Sequence, residues 1–111
     1  MTQAEEFFNR LTNEIPHAKP GKMFGCLCMK MPNGKSAAMC WKDHLVVKLQ
    51  GEDLEDAMNL EGTQLFVPME GRPMKEWVQV PFVHKNKWKR LASISAAAVE
   101  GVPEKPNKKR T

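Results

Sequence analysis

Pro32-Asn33-Gly34 is the strongest turn signal in this chain, and it separates two segments in which apolar and polar residues alternate. Asn-Gly accepts the positive φ angles of a tight hairpin, so the flanking segments are predicted to fold back on each other as antiparallel strands. Residues 22–31 place Met23, Gly25, Leu27, Met29 and Met31 on one face, with Phe24, Cys26, Cys28 and Lys30 on the other. Residues 35–42 set Ala37, Met39 and Trp41 opposite Ala38, Cys40 and Lys42. Asp43-His44 makes a short break, and a third strand from His44 to Leu49 contains the apolar run Leu45-Val46-Val47. The simplest arrangement of these three is an antiparallel meander.

Helical periodicity flanks this unit. Phe7, Phe8, Leu11 and Ile15 recur at helical spacing over residues 3–14, Glu5 and Glu6 suit a first turn, and Pro16 stops the helix. Glu52–Leu60 is a short helix candidate with Gly62 as its stop. Leu65-Phe66-Val67 is extended, residues 69–73 read as a loop, and Met74–Val80 alternates as a further strand ended by Pro81. A last helix is expected over 84–98, with Trp88, Leu91, Ala92, Ser95 and Val99 as its stripe. The expected fold class is therefore α+β: a single antiparallel sheet of about four to five strands flanked by N- and C-terminal helices. Residues 1–100 form the domain, and 101–111 form a basic, flexible tail.

A chain of 111 residues fits one domain. Its core is modest, roughly 60–68% of the potential surface being buried at this size, and homodimerisation is one way to enlarge it. No run approaches the ~18 apolar residues of a membrane span, and residues 1–6 lack the order of a signal peptide. A cytoplasmic location is expected. The formal charge of +4 divides unevenly. Lys105, Lys108, Lys109 and Arg110 against Glu104 leave the tail strongly basic and residues 1–100 nearly neutral. The tail reads first as a solubilising segment and second as a weak, salt-dependent phosphate contact. Cys26, Cys28 and Cys40 are an odd set, and disulfide bracing is not expected. His17, His44 and His84 lie far apart in sequence, and no second ligand pair joins Cys26 and Cys28 in a zinc pattern. No metal and no cofactor is expected.

Catalytic chemistry finds little purchase. Cys40 and His44 lie four residues apart across a turn, with no motif around them. Asp53, Glu55, Asp56 and Glu61 are explained by helix capping and solvation. Neither G-x-G-x-x-G after a strand nor G-x-x-x-x-G-K-[ST] occurs. No catalytic residue is assigned, and the chain is read as a non-enzyme unless Cys40, His44 and a carboxylate converge in a pocket. Candidate contact residues are Lys48 and Arg72, an anion-facing pair if the sheet joins them, and the aromatic Trp77. The cationic run at the start of the last helix, Lys85, Lys87, Lys89 and Arg90, either marks a binding surface or is a solvated face. Trp41, Trp77, Trp88, Phe24, Phe66 and Phe82 either form the core or line a groove.

Lys22-Met23-Phe24-Gly25, Pro32-Asn33-Gly34-Lys35, Leu45-Val46-Val47-Lys48, Gly62, Phe66 ahead of a proline, Val80-Pro81 and a closing helix with Trp88 and Leu91 follow one another in an order that resembles the N-terminal domain of the TfoX competence-regulator family, itself similar to YjbR/MmcQ-type domains. The resemblance covers roughly residues 5–98. It implies a single antiparallel sheet flanked by helices and a regulatory role, and it carries over no catalytic residues. In TfoX-like regulators the domain accompanies a second one, for which this chain is too short. The function expected is a non-enzymatic protein-interaction or regulatory accessory domain binding through a sheet face or edge. The second reading is a nucleic-acid accessory protein gripping phosphates with the tail and the 85–90 cations.

Overall fold

The computed structural model describes residues 2–23, 25–69 and 72–100, apart from the side chains of 23, 67–69 and 72–75. The elements run α1 (Gln3–Glu14), β1 (Lys19–Met23), β2 (Cys26–Lys30), β3 (Ser36–Trp41), β4 (His44–Lys48), α2 (Gly51–Met58), β5 (Gln64–Met69) and β6 (Arg72–Pro81). A 3₁₀ turn (Phe82–His84) then leads into α3 (Lys85–Glu100). The fold is α+β, with one open antiparallel sheet in the order β1-β2-β3-β4-β6-β5. It has six strands rather than four to five.

The added strand is β1. The alternation over 22–31 is divided between two strands, with Met23 paired to Cys26 and Gly25 at φ +76°. Lys19-Pro20-Gly21-Lys22 does not read as a strand, because proline and glycine weaken a ladder. At the sheet edge β1 tolerates both. The Asn-Gly turn also differs from the expectation: Gly34 takes φ +83°, whereas Asn33 stays at negative φ. The loop has three residues, closed by the Gly34 N–H donating to the Met31 carbonyl at 2.8 Å. The two-residue hairpin with positive φ at both positions lies instead at Lys42 (φ 49°) and Asp43 (φ 64°), flanked by the Trp41–His44 pair.

All three helices contribute to one apolar layer on one face of the sheet, where Met29, Ala38, Cys40, Leu45, Val47, Val78 and Val80 are buried. From α1 come Ala4, Phe8, Leu11 and Ile15, and from α3 come Trp88, Leu91, Ala92, Ala96 and Val99. The capping box of Thr2 and Glu5 starts α1, and the Thr2 hydroxyl also donates to Asp43 at 2.8 Å, tying the helix to the β3–β4 turn. The opposite face carries a second buried cluster of Cys28, Met39, Val46 and Phe66, with Cys26, Trp41 and Trp77 packed against it. Trp41 meets Phe66 edge-on, the ring centroids 5.5 Å apart. Burial on both faces is why the middle strand β4 reads as the unbroken run Leu45-Val46-Val47.

A bulge in β3 opens one end of the sheet. Met29 pairs with Ala38, yet Lys30 pairs with Ser36, so Ala37 is an extra residue that turns toward the helices beside Ala38. The regular β3–β4 ladder extends only to Ala38–Val47. Beyond it the Ser95 hydroxyl, fully buried on α3, accepts from the Lys48 N–H at 2.9 Å and donates to the Ala37 carbonyl. One side chain thus satisfies a backbone group on each diverging strand. The small residues Ala92, Ser95 and Ala96 on α3, facing Ala37 and Ala38, make so close an approach possible.

Candidate functional site: a lysine-lined cleft

The splayed end of the sheet forms a cleft of about 390 Å³ lined by Lys30, Gly34, Lys35, Ser36, Lys48, Trp77 and Val99. Lys30 and Lys48 end β2 and β4, which run in the same direction because β3 lies between them. Both lie on the face shared by Cys28 and Val46, since side chains two residues apart share a face. Lys48 is the cross-strand partner of Trp77 on β6, so the two side chains line the same cleft. Lys35 and Gly34 enter from the β2–β3 loop, and Val99 from the end of α3.

The frame is fixed by polar bonds to backbone groups. Asn33 donates its side-chain amide to the Val99 carbonyl at 3.0 Å and accepts from the Lys35 N–H at 3.0 Å, which locks the loop to α3. The Lys30 stem crosses Gly21 closely, its Cγ only 2.7 Å from where a β-carbon on residue 21 would sit. Glu76 lies 3.9 Å from Lys48 Nζ and also accepts from the Gln50 side-chain amide at 2.8 Å. Lys30 and Lys35 have no acidic partner among the described residues. The cleft is therefore positively charged, with a flat aromatic wall.

Of the residues singled out from sequence, Lys48 and Trp77 come together here. Arg72 belongs to β6, with its side chain outside the described residues, as are Phe24 and residues 101–111. The helix cations have different neighbours. Lys85 lies over the Phe82 ring at 5.2 Å, and Lys89 pairs with Glu14 at 3.3 Å. Lys87 and Arg90 border a separate crevice containing Asp56, between α2 and α3. Trp88 is fully buried and donates its indole N–H to the Pro81 carbonyl at 3.2 Å, a core role. Nothing in the sequence assigned Lys30, Lys35 or Ser36 a binding role. The available signal was the meander itself, which brings the last residues of alternate strands to one end.

Cys40 and His44 do not form a pair. Cys40 belongs to the helix-side layer, whereas His44 alternates onto the other face and bonds its own turn through the Lys42 carbonyl at 2.8 Å. Burial, with the nearby Glu5 and Asp43 charges, pushes the Cys40 thiol up to about 12, so it remains protonated and poorly nucleophilic. His17 contacts Glu100, and His84 contacts the Glu61 carbonyl. Among the described residues no three His, Cys, Asp or Glu side chains are grouped to hold a metal ion. No described helix is long and apolar enough to cross a membrane.

No protein-family model, curated protein or solved structure matches this chain.

Proposed function

We propose that this chain is a non-enzymatic regulatory accessory domain that works by binding, and that it meets an anionic partner in the lysine cleft. The observation carrying this reading is that Lys30, Lys35, Lys48 and Trp77 line one cleft. The Lys48 and Lys35 backbones are held by Ser95 and Asn33, so the ordering left for a ligand to impose is that of the side chains. The resemblance to TfoX N-terminal domains supports a regulatory rather than a metabolic setting, and the cytoplasm is the compartment that suits three free thiols.

Pairing at a sheet edge is the weaker binding mode. β1 carries Lys19, Pro20 and Lys22, and β5 carries Pro68, the features by which proteins blunt exposed edges. The cleft has no such obstruction. Titration of ¹⁵N-labelled protein with tripolyphosphate and with hexaglutamate tests the reading. Amide shifts should concentrate at Gly34, Lys35, Ser36, Lys48 and the Trp77 indole N–H. Shifts spread evenly over the surface, or centred on residues 85–90, refute it.

A further inference from the structure

We infer that the ligand of the cleft is one unpaired nucleotide unit of a single-stranded nucleic acid, its base stacked on Trp77 and the strand's phosphates held by Lys30, Lys35 and Lys48. This rests on the proposal that the cleft binds an anion, and it names the class of anion.

The composition of the walls argues for it. Three ammonium groups alone suit any anion, whether a carboxylate or a phosphate. The indole in the same cleft does not, because the face of an aromatic ring carries the negative side of its quadrupole and repels a bare carboxylate. A ligand that uses every wall has negative charge and a flat aromatic surface within one short unit. A nucleotide meets that description, and base-on-aromatic stacking beside a cationic track is how sequence-tolerant single-strand sites are built. The volume of about 390 Å³ lies at the small end of ligand sites, enough for one such unit rather than several.

The geometry favours a strand over a duplex or a free nucleotide. A paired base offers no free face to a side chain from the protein, so the base must be unpaired. The cleft is open at the end of the sheet, and its lysines, on β2, the β2–β3 loop and β4, all lie to one side of Trp77 on β6. A strand whose base stacks on the indole therefore runs its phosphates across them from β4 toward β2.

The test is fluorescence anisotropy of the full chain with a labelled octathymidylate, its duplex with octaadenylate, thymidine monophosphate as competitor, and hexaglutamate, each over 20–200 mM salt (roughly the range in which phosphate contacts are resolved). The single strand is expected to bind tightest. Lys30→Ala with Lys35→Ala should lower the slope of log affinity against log salt by about 0.7 per lysine removed. Trp77→Leu should weaken binding by about 5- to 150-fold and leave that slope unchanged. Because Trp77 also packs on the second cluster, Trp77→Phe is the control for folding: it keeps a ring and should retain most of the affinity. Thymidine monophosphate competing as well as the octamer overturns the strand assignment. Hexaglutamate binding at the same lysines with no response to Trp77→Leu overturns the nucleotide assignment and leaves the anion cleft standing. Tripolyphosphate producing no localised shifts, with no oligonucleotide binding, overturns both.

Discussion

Replacing Ser95 with alanine removes a single oxygen and leaves two backbone groups without partners, the Ala37 carbonyl and the Lys48 N–H. An unsatisfied buried polar group costs about 1–3 kcal/mol. The Lys48 N–H lies next to the cleft, where water can partly replace the hydroxyl, so its share falls at the low end. The Ala37 carbonyl is covered by α3 and takes more. Alanine regains roughly 0.5 kcal/mol of helix propensity over serine. The net loss is about 2–3 kcal/mol, which in a domain near 100 residues lowers Tm by about 10–20 °C. Urea unfolding followed by tryptophan fluorescence measures it as a lower midpoint at an unchanged slope. Ser93→Ala is the control. Its hydroxyl is exposed and bonds only the Lys89 carbonyl of its own helix, so it should stay within about 0.5 kcal/mol of wild type. A Ser95→Ala loss no larger than the control's would show that the two strands do not depend on this side chain. It would also remove the account of why the cleft opens there.

Thr2→Ala should cost about 1–2 kcal/mol in the same assay, since it removes the cap of α1 and its link to Asp43. Glu76→Gln should tighten tripolyphosphate binding at the cleft and steepen its salt dependence, because it removes the carboxylate that partly neutralises Lys48; unchanged affinity would place the anion elsewhere. The unfolded Cys40 thiol ionises near 9.0, whereas the folded one ionises at about 12. Between those values the folded chain keeps a proton that the unfolded chain has lost, so the stability this group contributes is complete below pH 9 and declines as pH rises toward 12. Urea midpoints at pH 8 and 10.5 should therefore fall further for wild type than for Cys40→Ala. A parallel fall in both would assign the alkaline loss to other groups.

Two levels of information were separable in this protein. Periodicity and stop signals determined the helices: Phe8, Leu11 and Ile15 at helical spacing, Pro16 after them, and Trp88, Leu91, Ala92, Ser95 and Val99 on the closing helix all face the sheet. Alternation determined the strand faces of Cys28 against Met29 and of Met39 against Cys40, because a period of two leaves only one choice once a single residue is assigned to the core. Edge strand β1 was not legible, since Pro20 and Gly21 are tolerated only where a sheet ends, and position in a sheet is not a local property. Nor was the turn at Lys42-Asp43, where neighbouring strand pairing holds two non-glycine residues at positive φ.

The site divided in the same way. Lys48 and Trp77 were visible as a cation and an aromatic residue on strands, whereas Lys30, Lys35 and Ser36 read as ordinary surface residues. Their convergence depends on three non-local events: the bulge at Ala37, the insertion of Ser95 between diverging strands, and the clamp of Asn33 on Val99. The two side-chain links join residues 47 to 66 positions apart, and the bulge shifts a register. The sequence by itself determined which residues are apolar and how each segment curls or extends, because those preferences act over a few residues. Which charged ends meet was decided only when helix α3 packed across β3 and β4, where burial required every backbone group to find a partner.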